Sequence, residues 1–343
     1  MFFGDHAQLG LAAKIPVPDP SPVLSYSPVV LDNVPNRPAP LQLRVSVPSP
    51  SFRNGEPLPI ILISHGLGNS SFLSSHEGYT PLADFLAGRG FAVIQPTHLY
   101  SRFYDPTQFP AGATEEEEGN EFHWKTAVRD LTTILDRLDE IEAAIPSLLS
   151  PGGNRLDREK IGIIGHSFGA STANLLLGVV NTDTRFPNQK PFGGRDSRIK
   201  AGVLMAAIGS GPLVTEMGRK VLPFYGPDFG TLSAPTLIVA GDIDTSPHLT
   251  TTRGPEFHMD PYHLAPGPKD LFTVKGGLHC LGGVDGWDAV GTPGDAHPQR
   301  LGAVQRMTWA YLRSQLYEGD AAWADACEAL KGLEDLGDVQ NKS

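Results

Sequence analysis

The chain has 343 residues and a formal net charge of −11, and 40% of its residues are hydrophobic. This apolar content is enough for a full hydrophobic core and excludes a largely disordered chain. The acidic balance argues against a nucleic-acid-binding protein, because phosphate-binding surfaces carry a basic excess, and it gives no reason to expect attraction to anionic lipid.

The first 25 residues are predicted to form an irregular N-terminal arm, because they are rich in proline and show no apolar period. Two strands are expected next, at 26–32 and 41–47, with a proline-rich turn between them. Short continuous apolar runs then recur, as expected for parallel strands that are covered on both faces. These runs are 60–64, 91–95, 161–165, 201–206, 236–240 and 271–275.

Helices are predicted between and after these runs, from their apolar spacing and their glycine or proline ends. They lie at 79–89, 122–145, 168–180 and 299–317. The alternation predicts an α/β fold with a mostly parallel, doubly wound sheet and antiparallel N-terminal strands, and the glycine- and proline-rich segments between the elements predict long loops. Without a repeat or linker, we expect one domain over 26–343, with its core at 58–317 and a helical tail at 318–343.

The strongest chemical signal is the segment Gly165-His166-Ser167-Phe168-Gly169, which lies between a predicted strand and a predicted helix. Glycine two residues either side of a serine permits a sharp strand-to-helix turn that presents the hydroxyl at the carboxyl edge of the sheet. The amino terminus of the following helix favours negative charge there. An ordinary glycine-bounded turn is the alternative, and the position between strand and helix favours a nucleophilic Ser167.

A serine nucleophile requires a base, and His279 is the predicted one. It follows the last predicted strand in the segment Gly276-Gly277-Leu278-His279, where a side chain is able to lie over the serine. The other histidines after Ser167 are His248, His258, His263 and His297. His258 and His263 share a proline-rich loop, and no cysteine or acidic partner at matching spacing indicates a metal site, so none is expected.

An orienting acid is expected between the serine and the histidine in chain order. The run 236–240 ends in Gly241-Asp242-Ile243-Asp244, which offers two candidates. Asp242 is placed to brace the turn, whereas Asp244 is placed to reach across to His279. We therefore predict Asp244 and keep Asp242 as the alternative.

The reacting oxygen also needs hydrogen-bond donors, and these are predicted to be backbone amides. The segment His65-Gly66-Leu67-Gly68 follows the run 60–64. Its glycines free the backbone so that the Leu67 N–H is able to point at the reacting oxygen beside the N–H of Phe168. His65 is expected to bond this loop in place.

These segments resemble an α/β-hydrolase over roughly 58–317, and most closely the dienelactone-hydrolase-like and platelet-activating-factor-acetylhydrolase-like serine esterases. The resemblance is carried by LPIILISHGLG (58–68), FAVIQPTH (91–98), WKTAVRDLTTILDRL (124–138) and LDREKIGIIGHSFGAST (156–172). In such relatives a serine in GHSFG, an aspartate in a G-x-x-D turn and a late histidine form a triad. The resemblance therefore implies a triad of Ser167, Asp244 and His279, whereas the loops at 97–121, 206–235 and 281–298 depart from the family pattern.

Aromatic and histidine side chains near these loops are candidates for the wall of a substrate pocket, because ligand sites are mostly apolar; each also suits a position in the core. They are His65, Tyr100, Phe103, Phe109, Trp124, His166, Phe224 and Tyr225. The glutamates at 115–118 are interpreted as a solvated run, with cation binding as the alternative. Cys280 is expected to pack rather than to react.

The sequence therefore predicts a serine hydrolase that cleaves a carboxylic ester through an acyl-enzyme and needs no cofactor. A lactonase, a thioesterase and an acyl-transfer or cyclising enzyme use the same triad and stay alternatives, as does a non-catalytic binding protein on this scaffold. The expected partner is a small-molecule ester or lactone with an apolar acyl part. The oligomeric state is not encoded in any motif.

A cytoplasmic location without stable membrane insertion is the expectation for this chain. It has no run of 18 apolar residues, and its N-terminus lacks the cationic start and apolar stretch of a signal peptide. A processed secreted chain would have the same composition. Cys280 and Cys327 fit a reducing compartment, and the sequence leaves open whether they form a disulfide.

Overall fold

The computed structural model describes residues 7–50, 56–68, 70–104, 123–149, 155–211, 214–251, 253–287 and 295–343. The strands in these ranges are β1 (Val23–Leu31), β2 (Leu41–Pro48), β3 (Leu58–Ser64), β4 (Ala92–Pro96), β5 (Leu156–His166), β6 (Val180–Asn181), β7 (Phe192–Gly193), β8 (Ile199–Met205), β9 (Pro227–Asp228), β10 (Thr236–Gly241), β11 (Lys269–Val274) and β12 (Gly337–Lys342). The helices are α1 (Thr80–Ala87), α2 (Trp124–Asp136), α3 (Leu138–Ala143), α4 (Pro146–Leu149), α5 (Phe168–Leu177), α6 (Glu216–Val221), α7 (Asp260–Leu264), α8 (Pro298–Leu316) and α9 (Ala322–Leu330).

Nine strands form one sheet in the order β1-β2-β4-β3-β5-β8-β10-β11-β12. The six strands from β4 to β11 in this order pair in parallel, whereas β1, β2 and β12 pair antiparallel with their neighbours. Every residue of β3 is buried, as expected for a central strand covered on both faces. The predicted doubly wound α/β sheet with antiparallel N-terminal strands is confirmed.

Two hydrophobic cores lie on opposite faces of this sheet. Successive residues of a strand point to opposite faces, so Ile60 and Leu62 enter one core and Ile61 and Ile63 enter the other. Helices α2, α3 and α5 close the first core, and α1, α8 and α9 close the second. The short strands β6, β7 and β9 form a separate three-stranded sheet.

The structure differs from the sequence-based prediction at both ends and in one helix. The tail predicted as helical contains α9, but Gly337–Lys342 forms β12 against β11; this strand is mostly polar and is held by its main-chain pairing. The N-terminal arm contains a 3₁₀ segment at Ala7–Lys14. The helix expected at 122–145 is divided at Arg137, whose φ of −116° is not helical. No helix within the described ranges is long and apolar enough to cross a membrane.

Candidate active site

Ser167 lies in a strained turn between β5 and α5, with φ 54° and ψ −120°. Its N–H donates to the Met205 carbonyl on the neighbouring strand at 2.9 Å. The flanking glycines are sterically required: a Cβ on Gly165 would lie 2.3 Å from the Gly169 carbonyl oxygen, and one on Gly169 would lie 2.1 Å from that of Ser64. Backbone held in such a sparsely populated region costs of order 1–3 kcal/mol and is common at functional sites.

Ser167, His279 and Asp244 form one hydrogen-bonded chain at the carboxyl edge of the sheet. The Ser167 Oγ lies 2.9 Å from His279 Nε2, and His279 Nδ1 lies 2.7 Å from Asp244 Oδ2. The three residues follow β5, β11 and β10, whose carboxyl ends meet at this edge because the strands are parallel. His279 is half-buried and Asp244 is buried. In this geometry the imidazole is able to accept the serine proton while the carboxylate holds Nδ1–H.

The charges around the Ser167–His279–Asp244 contacts favour proton transfer to His279. Burial alone would raise the pKa of Asp244, but hydrogen bonds from His258 and His279 hold that pKa far below its usual range. Burial alone would lower the pKa of His279, but the hydrogen bond and charge of Asp244, together with Asp285 and Asp295, raise it above its ordinary value. Asp244 is therefore ionised at neutral pH and stabilises a protonated His279.

The two aspartates predicted after β10 have different positions. Asp244 faces His279, whereas Asp242 accepts the N–H of Gly276 at 2.6 Å and pairs with the Lys275 ammonium at 3.2 Å. Asp242 thus braces the turn that leads from β11 toward His279. The sequence-based preference for Asp244 corresponds to the residue that reaches the histidine.

His166 links the serine turn to the histidine loop, a contact that sequence reasoning does not predict. Its Nε2–H donates to the His279 carbonyl at 2.8 Å, and its Nδ1 accepts the Tyr79 hydroxyl at 2.7 Å. The same hydroxyl accepts the Gly66 N–H at 2.9 Å. Burial, followed by the nearby His279, lowers the pKa of His166 to about 3, so it stays neutral and fixes both loops.

The loop at 65–68 is held by buried side chains. His65 Nδ1–H donates to the Gly66 carbonyl at 2.8 Å, and His65 Nε2 accepts the His98 N–H at 3.0 Å. The Tyr100 hydroxyl donates to the His65 carbonyl at 2.5 Å. His65 and Tyr100, predicted as pocket candidates, are buried supports of this loop, whereas Leu67 lines the cavity over Ser167.

One known protein family matches most of this chain. The sequence model of the alpha/beta hydrolase family matches residues 60–339, which is most of the chain. The chain belongs to the alpha/beta hydrolase family. This membership confirms the predicted resemblance to an α/β-hydrolase.

Two solved structures illustrate how far the similarity extends. The acylaminoacyl peptidase of Pyrococcus horikoshii is 17% identical, with a TM-score of 0.51 over 89% of this chain and 44% of the peptidase. A putative dienelactone hydrolase from Klebsiella pneumoniae is 15% identical, with a TM-score of 0.49 over 86% of this chain and 100% of that protein. This chain therefore spans less than half the length of the peptidase, and at 17% identity the likeness to the peptidase is one of fold.

A cavity of about 600 Å³ opens above Ser167 in this member of the alpha/beta hydrolase family. Its volume lies in the range of small-molecule sites. Besides the Ser167–His279–Asp244 chain, its wall combines apolar, basic and acidic side chains. They include Leu67, Arg102, Ile243, Leu278, Asp285 and Asp295.

Most of the aromatic pocket candidates do not reach this cavity. Trp124, Phe224 and Tyr225 line a separate, smaller cavity together with Phe168, the first residue of α5. Trp124 stacks on Phe224 with a ring separation of 5.2 Å, so both rings belong to the core between α2 and α5. Phe103 is exposed, and His166 alone among the described pocket candidates lines the Ser167 cavity. Phe109 and the glutamates at 115–118 lie outside the described residues.

Asp244, His258 and His279 are the one group of three side chains in the described ranges whose donor atoms lie close enough together to hold a metal ion. Asp244 Oδ2 already contacts the two histidines at 2.7 and 3.2 Å, so an ion would have to displace both hydrogen-bonding contacts. We derive no step through a metal. His263, the other histidine of the predicted proline-rich loop, is exposed in α7 and lies apart from this group.

The two cysteines are free thiols in the structure. The Cys280 thiol donates to Asp285 Oδ2 at 3.3 Å, and burial, reinforced by the Asp285 charge, raises the pKa of Cys280 above its usual value. A thiol in this state is a weak nucleophile at neutral pH. Cys280 therefore packs beside His279 and does not compete with Ser167.

Proposed function

We propose that this hydrolase is a serine esterase that cleaves carboxylic esters through an acyl-enzyme. The observation that carries the proposal is the Ser167–His279–Asp244 hydrogen-bonded chain, with contacts of 2.9 and 2.7 Å, at the wall of an open cavity. The strained φ of Ser167 and the glycine spacing around it add independent support.

In the proposed first step, Ser167 Oγ attacks the ester carbonyl carbon while its proton passes to His279 Nε2. Asp244 accepts the Nδ1–H bond and stabilises the imidazolium that forms. The backbone N–H groups of Leu67 and Phe168 are the proposed donors to the carbonyl oxygen as it gains negative charge. Collapse of this intermediate breaks the bond to the alcohol oxygen, and His279 donates its proton to that oxygen.

The second step returns the enzyme to its starting state. A water molecule gives a proton to His279 Nε2 and its oxygen attacks the acyl carbon. When the resulting intermediate collapses, the bond to Ser167 Oγ breaks and His279 returns the proton to the serine. The products are the free acid and the alcohol, and no electron acceptor or cofactor takes part.

The first test is the rate of hydrolysis of p-nitrophenyl esters, from acetyl to palmitoyl, by the wild type and Ser167→Ala. We expect the highest rate with short acyl chains, because the cavity wall is mixed in polarity and the clustered aromatic rings lie elsewhere. The Ser167→Ala variant, checked by thermal denaturation to be folded, is expected to lose this activity.

A covalent probe separates catalysis from mere binding. An organophosphonate is expected to label Ser167, as mapped by mass spectrometry, because only an activated serine attacks phosphorus readily. Folded wild type that neither hydrolyses any ester nor becomes labelled would contradict the proposal and favour a non-catalytic binding protein.

A further inference from the structure

Asp244 contacts a second histidine that the proposed mechanism does not use. His258 Nε2 lies 3.2 Å from Asp244 Oδ2, the same oxygen that His279 contacts. The other ring nitrogen of His258, Nδ1, lies 2.6 Å from the Ala207 carbonyl, at the end of β8. His258 is completely buried, in a 3₁₀ segment at Pro255–Met259. The ring is therefore held between a backbone carbonyl and the Asp244 carboxylate.

The hydrogen-bond partners of His258 can be used to count its protons. A carbonyl oxygen only accepts, so His258 Nδ1 carries a hydrogen directed at Ala207. Nε2 faces Asp244 Oδ2 at 3.2 Å and the Ser246 hydroxyl at 2.9 Å, and this hydroxyl lies 3.2 Å from Asp244 Oδ1. These three contacts join an ionised carboxylate, one hydroxyl and Nε2.

A neutral His258 leaves too few protons for these contacts. Its bare Nε2 would accept the only Ser246 proton, and both contacts to the Asp244 carboxylate would then place lone pairs against each other. A protonated Nε2 is able to donate between Asp244 Oδ2 and Ser246 Oγ, which frees the Ser246 hydroxyl to donate to Asp244 Oδ1. All three contacts then contain a proton.

We propose that His258 is a buried imidazolium that shares its charge with Asp244 and acts as a positioning residue for the Ser167–His279–Asp244 chain. The positioning role rests on the proposed esterase function, whereas the protonation state does not. The ring centroids of His258 and His279 are 5.6 Å apart, so a charge on His258 acts directly on His279. Because like charges repel, the His258 charge opposes protonation of His279 and keeps this base neutral at lower pH.

The carboxyl groups near the two histidines act on His279 in the opposite direction to a charge on His258. Asp244, Asp285 and Asp295 are the carboxyl groups that favour protonation of His279. A cationic His258 offsets part of this effect from the Asp244 side. His279 thus lies between the carboxyl groups of Asp285 and Asp295 and the carboxylate of Asp244, which also contacts the proposed His258 cation.

The remaining neighbours of His258 do not replace it as a cation. His166 is kept neutral by burial, and burial also lowers the pKa of His248. On the turn that follows His258, Asp260 is bound by Arg253 through two contacts of 2.8 and 2.9 Å, so this pair cancels its own charge.

The protonation state is tested directly by ¹⁵N NMR of the histidine side chains in the wild-type protein. We expect both ring nitrogens of His258 to carry a proton in the wild type, and the Asp244→Asn variant to lose this state because the carboxylate that faces Nε2 is gone. Through-bond connectivity assigns the signals without any variant at the buried position. A bare Nε2 in the wild type at pH 7 would overturn the proposal.

The positioning role is tested by the pH dependence of kcat/KM for the wild type, His258→Gln and the control His263→Gln, an exposed histidine in the nearby helix α7. Loss of the His258 charge is expected to raise, by about one to two pH units, the pH at which kcat/KM falls on acidification. The pH dependence of kcat/KM for His263→Gln is expected to match that of the wild type. A folded His258→Gln variant that loses activity equally at every pH would overturn the positioning role and indicate a structural one.

Failure of the esterase proposal is distinguishable from failure of this inference. If no ester is hydrolysed but both nitrogens of His258 are protonated, the charge assignment stands and the proposed function falls. If ester hydrolysis is normal but Nε2 is bare, the proposed function stands and the inference falls.

Discussion

Two hydrogen-bonded serine–histidine–aspartate chains lie side by side in this protein, and their hydrogen-bond distances are nearly the same. In the second chain, Ser64 Oγ lies 3.0 Å from His98 Nε2, and His98 Nδ1 lies 2.9 Å from Asp130 Oδ2. The corresponding distances at Ser167 are 2.9 and 2.7 Å. Ser64 and Gly165 are partners on the adjacent strands β3 and β5. Distances alone therefore do not distinguish a reactive chain from a structural one.

The surroundings of the two chains differ. All three residues of the Ser64 chain are completely buried, whereas Ser167 lines an open cavity. Asp130 is bound by the Arg37 guanidinium through two contacts of 3.0 and 2.9 Å. Its charge is thus neutralised by a permanent cation, whereas Asp244 contacts the imidazoles of His258 and His279 and the Ser246 hydroxyl.

This difference reverses the pKa shift of the central histidine. Burial, aided by the Arg37 charge, lowers the pKa of His98 despite the hydrogen bond to Asp130. The pKa of His279 is raised, because the nearby carboxyl groups outweigh its burial. A general base needs both access to substrate and a carboxylate whose charge is not already cancelled by a guanidinium. The Ser64 chain lacks both and supports the adjacent loop through the His98 N–H bond to His65.

The largest expected difference between the chains is in activity after removal of each serine hydroxyl. Ser167→Ala is expected to lower kcat/KM on a p-nitrophenyl ester by at least about 10⁴-fold. Ser64→Ala removes the donor to His98 Nε2 and is expected to cost about 1–3 kcal/mol of stability while the folded enzyme stays active. Steady-state kinetics and urea unfolding measure the two effects. Equal activity losses in the two variants would contradict the comparison.

For stability the order of the two chains is expected to be reversed: replacement of Asp130 is expected to cost more than replacement of Asp244. Asp130→Asn leaves Arg37 as an unpaired buried charge and is expected to lower the free energy of unfolding by about 3–5 kcal/mol. Asp244→Asn is expected to reduce stability less, because a histidine is able to release its proton whereas Arg37 is not. Urea unfolding at pH 7.5 checks this order. A more stable Asp130→Asn than Asp244→Asn variant would show that the Arg37 pair is not a main contributor.

On acidification, kcat/KM is expected to fall at a higher pH than the free energy of unfolding. His279 has a raised pKa, so kcat/KM is expected to fall on acidification from a point above pH 6.5. His98 has a lowered pKa, so the unfolded chain takes up its proton first, and the free energy of unfolding falls only as the pH drops below about 6.5. Kinetics and unfolding measured on one buffer series test this order. Loss of stability ahead of activity would contradict it.

The smallest predicted effect concerns the link between the loops around Ser167. Tyr79→Phe removes the hydroxyl that accepts the Gly66 N–H and donates to His166. We expect about a tenfold loss in kcat/KM, equivalent to about 1.4 kcal/mol, because the two loops lose their shared hydrogen-bond partner. Tyr311→Phe, at another buried tyrosine of the same core, is the matched control. An unchanged Tyr79→Phe would mean that the loops do not need this link.

The residues predicted from the sequence are those marked by a local pattern. Glycine spacing indicates Ser167, and the chain order and the ends of the apolar runs lead to Asp244 and His279. Tyr79 and His258 carry no such mark, because their contacts join positions far apart in the chain. The sequence also predicts which segments form strands, but it does not show which face of the sheet Trp124 joins.

The polar strand β12 illustrates a further limit. Its residues GDVQNK show no apolar run, and its position depends on the exposed main chain of β11. Backbone pairing forms an edge strand without an apolar run, and here the side chains of Asn341 and Lys342 add polar contacts to Asp270 and to the Ala265 carbonyl. A prediction based on apolar periodicity therefore misses this strand and wrongly assigns its residues to the helical tail.

The order of strands has a mechanical consequence for the site. Asp244 and His279 follow β10 and β11, which are adjacent and in register from Thr236–Lys269 to Gly241–Val274, whereas Ser167 follows β5, with β8 in between. Sliding of one half of the sheet against the other would carry the acid and the base together. Such shear would lengthen the contact between Ser167 and His279 and leave the contact between His279 and Asp244 intact. The serine side is thus where small elastic deformations of the sheet would change reactivity.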